Sequence, residues 1–111
     1  MYVDFGPDYK GNGVVHAAPC NFAGFYGFNS NSNAQYLLFF DNAEVPILGT
    51  PSYFLWRMVG LGSFAFWFPP AQRFRGWGRP CRYGLSWSNS TTPKTLTAGV
   101  ADVLLTVEVI A

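Results

Sequence analysis

Few residues in this chain have the types and spacing that chemistry requires. The one histidine, His16, has no nucleophile elbow to serve: GLSWS, the nearest approach to the G-x-S-x-G turn, lacks the last glycine. Asp41 and Glu44 are close enough to suggest a carboxylate pair for glycoside hydrolysis. They fall between two strand-like runs, however, where turn chemistry explains them. The run GLGSFA, Gly60 to Ala65, fits the G-x-G-x-x-A dinucleotide fingerprint. That fingerprint needs a helix to open there, and FAFWFPP cannot supply one, so the run reads as a hairpin turn. Cys20, Cys81 and His16 fall short of the roughly four ligands of a structural zinc site. The two cysteines can pair only if the fold brings their Cα atoms within about 7 Å. In a chain made in a cytosol the expectation is free, buried thiols. Asn89-Ser90-Thr91 matches the glycosylation sequon and reads as a plain turn. The sequence carries no phosphate loop, metal cluster or cofactor box, so the expectation is a non-enzymatic protein with no cofactor and no metal.

Recognition is better served. The segment GSFAFWFPPAQRFRGWGRP, Gly62 to Pro80, alternates as a strand up to Phe68 and then loses any regular ladder, because proline lacks the donor and glycine weakens pairing. Its second half is expected to be an exposed loop or edge carrying Arg73, Phe74, Arg75, Trp77 and Arg79. Tryptophan and arginine are enriched at interface hot spots, and arginine grips carboxylates in a bidentate fork. These five residues are therefore the candidate interface, meeting acidic groups on a neighbouring subunit. The charge distribution agrees. No acid occurs between Val45 and Ala101, whereas Arg57, Arg73, Arg75, Arg79, Arg82 and Lys94 all lie there. If they share a face they can steer an acidic partner. The net charge of only +1 argues against nucleic acid as that partner.

The elements that must position these residues are strands. Runs of Phe, Tyr, Trp, Val and Thr sit between Gly, Pro, Asn and Ser clusters, and helix signals are nearly absent. CNFAGFYGFN places Phe22, Tyr26 and Phe28 on one face. AQYLLFFD is apolar on both faces, with Tyr36, Leu38 and Phe40 on one and Leu37 and Phe39 on the other, so it is central or covered by a partner. NAEVPILGTP is expected to cross between sheets. SYFLWRMV and SFAFWF follow. CRYGLSWSNS alternates Tyr83, Leu85 and Trp87 against small and polar residues, as a half-buried strand does. ADVLLTVEVIA closes the run with a dry face of Val103, Leu105, Val107 and Val109. Seven or eight such strands predict an all-β, two-sheet antiparallel β-sandwich of jelly-roll-like topology over residues 15–111. Phe40, Phe66, Leu85, Leu105 and Val107 are the expected core, with either Phe54 or Leu55. Residues 1–14 show no strand pattern and read as an irregular N-terminal arm that packs on this domain or on a neighbour. That opening has neither the basic nor the apolar region of a secretory signal. No apolar run approaches the ~20 residues of a membrane helix.

Composition points the same way. Of 111 residues, 50% are hydrophobic and 19% aromatic, while only 12% are charged, about half the usual share. A chain of this size buries only about two-thirds of its unfolded surface, so some of these large groups must remain outside. Such a surface suits a subunit of an assembly.

The order of the segments resembles a group of small single-domain virion proteins of tailed bacteriophages. The matching positions are Phe40-Asp41, Gly49 to Pro51, Phe74 to Gly76, Gly84-Leu85, Ser90-Thr91 and Ala101-Asp102, within residues 20–111. The resemblance implies a sandwich that decorates or cements a capsid shell. Its partners would be the major capsid protein or other virion subunits, in a homo-oligomer such as a trimer, and its location the virion after assembly in the bacterial cytoplasm. The arginine-rich RFRGWGR and the four tryptophans depart from that pattern, which leaves head, vertex and tail open. A second reading is a small carbohydrate-binding sandwich, for instance in host attachment, with Trp56, Trp67, Trp77 and Trp87 stacking on sugar rings. Two or three coplanar exposed rings beside polar loops would favour it. A third is a single-stranded nucleic-acid binder using aromatics with arginines, which the near-neutral charge disfavours.

Overall fold

The computed structural model describes residues 1–68 and 78–110, and in them two antiparallel sheets pack face to face. The first sheet runs β1 (Tyr2–Asp4), β9 (Val103–Ile110), β3 (Cys20–Asn29), β6 (Gly62–Trp67), with the short β7 (Arg79–Cys81) paired to the start of β3. The second runs β2 (Asn12–His16), β8 (Leu85–Ser90), β4 (Gln35–Phe40), β5 (Phe54–Met58). With β7 set aside, the pairing is nested. The first strand pairs the last, β2 pairs β8, β3 pairs β6 and β4 pairs β5.

This topology corrects two expectations about connections. Residues 41–53, with their prolines and glycine, do not cross between sheets, because β4 and β5 are neighbours in one sheet. The crossing is made by residues 59–61, so GLGSFA is no hairpin turn. Leu61 takes a left-handed φ of 48° there, and a strand rather than a helix follows. Residues 1–14 are likewise not an irregular arm. They hold β1 and most of β2, each the edge of a different sheet, and β2 runs across the expected boundary at residue 15. Strands of three and five residues at an edge span too few alternations to show a pattern in sequence.

The space between the sheets is filled by aromatic rings. Phe22 and Phe25 from β3 and Phe39 from β4 are fully buried, with centroids 4.5–5.9 Å apart. Leu85 and Trp87 from β8 and Val103, Leu105, Val107 and Val109 from β9 complete the core. Leu85, Leu105 and Val107 lie where the sequence placed them, Phe54 rather than Leu55 faces this core, and Phe66 packs against it half-buried. The expected face of β3 is wrong. A bulge between Phe22 and Gly24 shifts the register against β9, so Phe25 points inward beside Phe22 while Tyr26 points out. Gly24 has its own reason, since a Cβ there would overlap the Trp67 ring.

A second, smaller cluster lies on the outer face of the β2–β8–β4–β5 sheet. Leu38 and Phe40 are buried there beneath Leu96, flanked by Tyr36 and Leu55. Phe40 is therefore buried, but outside the sandwich interior. The cover comes from the chain itself: Leu96 donates its N–H to Thr50 O at 3.0 Å and accepts from Gly49 N at 2.8 Å, which ties the two loops together. The same cover corrects the half-buried reading of β8, where Ser86, Ser88 and Ser90 are as buried as Leu85 and Trp87. Their hydroxyls donate to loop carbonyls, Ser86 to Glu44 at 3.0 Å and Ser90 to Thr92 at 2.8 Å. The three serines are thus buried with every hydroxyl paired. Tyr83 lies before the strand and is exposed.

Candidate interaction face

Of the five residues expected at an interface, Arg73, Phe74, Arg75 and Trp77 lie outside the described residues. Arg79 is in β7, and its guanidinium stacks 4.2 Å over the Tyr53 ring of its own domain. Tyr53 in turn donates its hydroxyl to Pro80 O. The cation–π contact occupies one face of Arg79 and holds β7 against the start of β5.

A different set of side chains forms an exposed aromatic cluster among the described residues. Because Val103, Leu105, Val107 and Val109 point inward, Leu104, Thr106, Glu108 and Ile110 must point out. Register then aligns two rows across the outer face of the first sheet. One row is Tyr2, Glu108, Gly24 and Trp67, and the next is Asp4, Thr106, Tyr26 and Ala65. Gly24 leaves a hollow that the Trp67 ring fills, and this brings Trp67 within 6.3 Å of both Tyr2 and Tyr26. All three rings stay open to solvent, at 59% for Tyr2, 46% for Tyr26 and 42% for Trp67. Beside them Asp4, Pro7, Tyr26, Phe28, Leu104 and Thr106 line a shallow groove of about 500 Å³. Asp4 and Glu108 are the only charged residues in the four principal strands of this sheet, and both point outward. The face is therefore aromatic with an acidic edge. The sequence carried half of this signal: SFAFWF put Trp67 opposite the phenylalanines, but the β3 bulge concealed Tyr26 and the shortness of β1 concealed Tyr2.

The rings do not form a flat platform. Trp67 stands at 85° to Tyr2 and at 47° to Tyr26. Among the other tryptophans proposed for sugar stacking, Trp87 is fully buried, Trp56 packs against the core and Trp77 is outside the described residues.

Several other polar groups have internal work. Asp41 accepts from the backbone N–H groups of Arg82 and Tyr83 at 2.9 and 2.8 Å, which fixes the turn into β8. Asp102 is buried at one end of the sandwich. Its carboxylate accepts from Asn31 Nδ2 at 2.9 Å, Gln35 Nε2 at 3.0 Å and Asn89 Nδ2 at 2.7 Å. This joins the start of β9 to β4, β8 and the loop after β3. Asn89 is accordingly a buried strand residue and not the turn that its sequon suggested. Cys20 and Cys81 face each other across β3 and β7, both buried and both free thiols, and the Cys81 thiol donates to Arg79 O at 3.8 Å. Burial first, then the neighbouring Cys20 and Asp41 charges, push the Cys81 thiol up to about 12; burial also raises Cys20.

No helix among the described residues is long and apolar enough to cross a membrane. Comparison with known proteins finds no matching family model, no matching curated protein and no matching solved structure.

Proposed function

We propose that this protein is a non-enzymatic structural subunit of a phage particle, a jelly-roll sandwich that decorates or cements the capsid shell through protein contacts. The nested pairing supports the jelly-roll assignment, since a long hairpin rolled into two sheets gives that order, and the architecture recurs in viral capsid domains. That link is an analogy of fold, and the site must carry the rest. The observation that carries it is the difference between the two outer faces. One sheet is roofed by its own loops through Leu96, and the other leaves Tyr2, Tyr26 and Trp67 uncovered around an acidic edge. Large aromatics that remain exposed together mark a contact surface. Asp4 and Glu108 complement a partner surface that is apolar at its centre and basic at its rim. The arginine-rich segment 73–79 would form a second contact, toward acidic groups.

The carbohydrate reading is weaker, because a sugar-stacking platform needs rings lying side by side and these are steeply inclined. The test is occupancy. Shells prepared without the protein should take up the purified wild type and should take up Trp67→Ala and Tyr26→Ala poorly, with both variants folded. Normal uptake of both by the shells would remove this face from the proposal. Binding of the wild type to oligosaccharides but not to shells would replace the proposal with the second reading.

A further inference from the structure

Cys20 opens β3, Cys81 closes β7, and the register sets them directly opposite. Opposed residues of an antiparallel pair project to the same face, with Cα atoms about 4.5 or 5.5 Å apart according to the type of pair. Both distances fall inside the roughly 4.4–6.8 Å that a disulfide spans. The two side chains therefore project from directly opposed positions to the same side of the sheet, close enough for their sulfurs to bond with little movement of the strands. A shallow groove of about 380 Å³, lined by Pro19, Cys20, Asn21, Pro80, Cys81 and Ile110, opens beside them and gives a small reagent a way in.

We propose that Cys20 and Cys81 are an oxidisable pair, converted by a low-molecular-weight disulfide into an internal cross-link that staples β7 to β3. The exchange balances in two steps. Cys20 gives up its proton, and its sulfur attacks one sulfur of the small disulfide RSSR, breaking that S–S bond and releasing RS⁻, which takes up a proton. Cys81 then gives up its proton and attacks the Cys20 sulfur of the mixed disulfide, breaking that S–S bond and releasing the second RS⁻, which takes up a proton. The two protein thiols lose two electrons and two protons, and RSSR gains both as two RSH. Because burial holds both thiols neutral, the reaction is slow near neutrality and quickens as pH rises.

The staple changes more than one contact. β7 is three residues long and pairs only with β3 among the described strands. Its Arg79 and Pro80 hold Tyr53 at the entrance to β5. A link at Cys81 therefore anchors the end of the Gly62 to Pro80 segment to the sheet. It also closes the chain from residue 20 to residue 81, and a ring of that length shifts the folding equilibrium on the order of a thousandfold by chain entropy.

The experiment uses the wild-type chain. Native protein is incubated with oxidised glutathione at mildly alkaline pH, then analysed by intact mass, non-reducing peptide mapping and urea unfolding, with a reduced sample alongside. The expected result is loss of two hydrogens, one Cys20–Cys81 peptide within a monomer, an unchanged far-ultraviolet spectrum and the stabilisation given above. Cys81→Ser should instead stop at a glutathione adduct on Cys20, and Cys20→Ser should form its adduct on Cys81 more slowly, which together show the order of attack. Thiols that stay free, glutathione adducts on the wild type without ring closure, links between two chains, or an oxidised form no more stable than the reduced one would each overturn the proposal.

Discussion

The placement of Phe25 can be tested against its neighbour Tyr26. Phe25 is fully buried, and its ring lies 5.0–6.1 Å from those of Phe22, Phe39, Phe54, Trp56, Phe64 and Phe66. A buried aromatic removes at least ~150 Å² from water, and at about 25 cal/mol per Å² this is near 4 kcal/mol. Phe→Ala changes in cores cost about 3–5 kcal/mol once the cavity is included, and a ring with six aromatic neighbours belongs at the upper end. A chain of this length has roughly 6–17 kcal/mol of stability in all. Phe25→Ala should therefore remove a large fraction of it and lower the melting temperature by about 15 °C, taking roughly 4 °C per kcal/mol. Tyr26 is 46% exposed, so Tyr26→Ala should cost no more than about 1 kcal/mol. Urea unfolding followed by circular dichroism measures both. If Tyr26→Ala costs as much as Phe25→Ala, the bulge at Phe22 and Gly24 is misplaced and plain alternation along β3 is correct.

Other perturbations probe other parts of the molecule. Leu105→Asp puts a carboxylate among apolar side chains with no partner and should abolish the cooperative thermal transition. Deleting residues 1–14 removes β1 and uncovers Trp87, whose ring packs 5.5 Å from that of Phe5. The truncated chain should be less stable by several kcal/mol in denaturant melts, where a mere tail would leave the melt unchanged. Trp77→Ala should keep the wild-type melting temperature and lose shell occupancy by roughly 2 kcal/mol or more of binding, whereas lost stability with occupancy retained would make Trp77 part of the domain. The raised Cys81 thiol binds a proton in the folded chain that the unfolded chain releases. Its contribution is thus complete below about pH 9 and is lost as pH rises toward 12. Wild type should lose more stability across that window than Cys81→Ser in parallel urea melts.

Much of this architecture was legible because strands alternate. The dry face of β9 from Val103 to Val109 and the run SFAFWF can be read by parity alone, and both proved right. Parity fails where one residue is added: Gly24 and Gly27 in CNFAGFYGFN suggest a bulge or close packing, and both occur, but they do not fix where the register shifts, and the shift moved Tyr26 from the core to the surface. It fails also where the chain covers its own sheet. The two apolar faces of AQYLLFFD mark a strand that is central or covered by a partner; it is central, and the outer face at Leu38 and Phe40 is covered by Leu96, arriving more than fifty residues later. The acid at Asp102 was visible as a motif, yet its burial depends on Asn31, Gln35 and Asn89 converging from three other segments. The cysteines illustrate the same limit, since a separation of sixty-one positions says nothing about register.

The nested pairing also sets an order in which the chain can close. β4 and β5 are separated by residues 41–53 only, whereas the outermost pair joins Tyr2 to Glu108. Loop closure costs about (3/2)RT ln n, so a chain that formed its outermost pair first would give up the most entropy for the shortest ladder. Starting from β4 and β5, each completed pair brings the ends of the next within reach, and the long closures become a series of short ones. The reverse order governs opening. β1 has three residues and a partner on one side only, so its amides should exchange with solvent first and those shared by β4 and β8 last. On the proposed contact face, Tyr2 would then be the ring whose position is renewed most often, while Tyr26 and Trp67 stay anchored on inner strands.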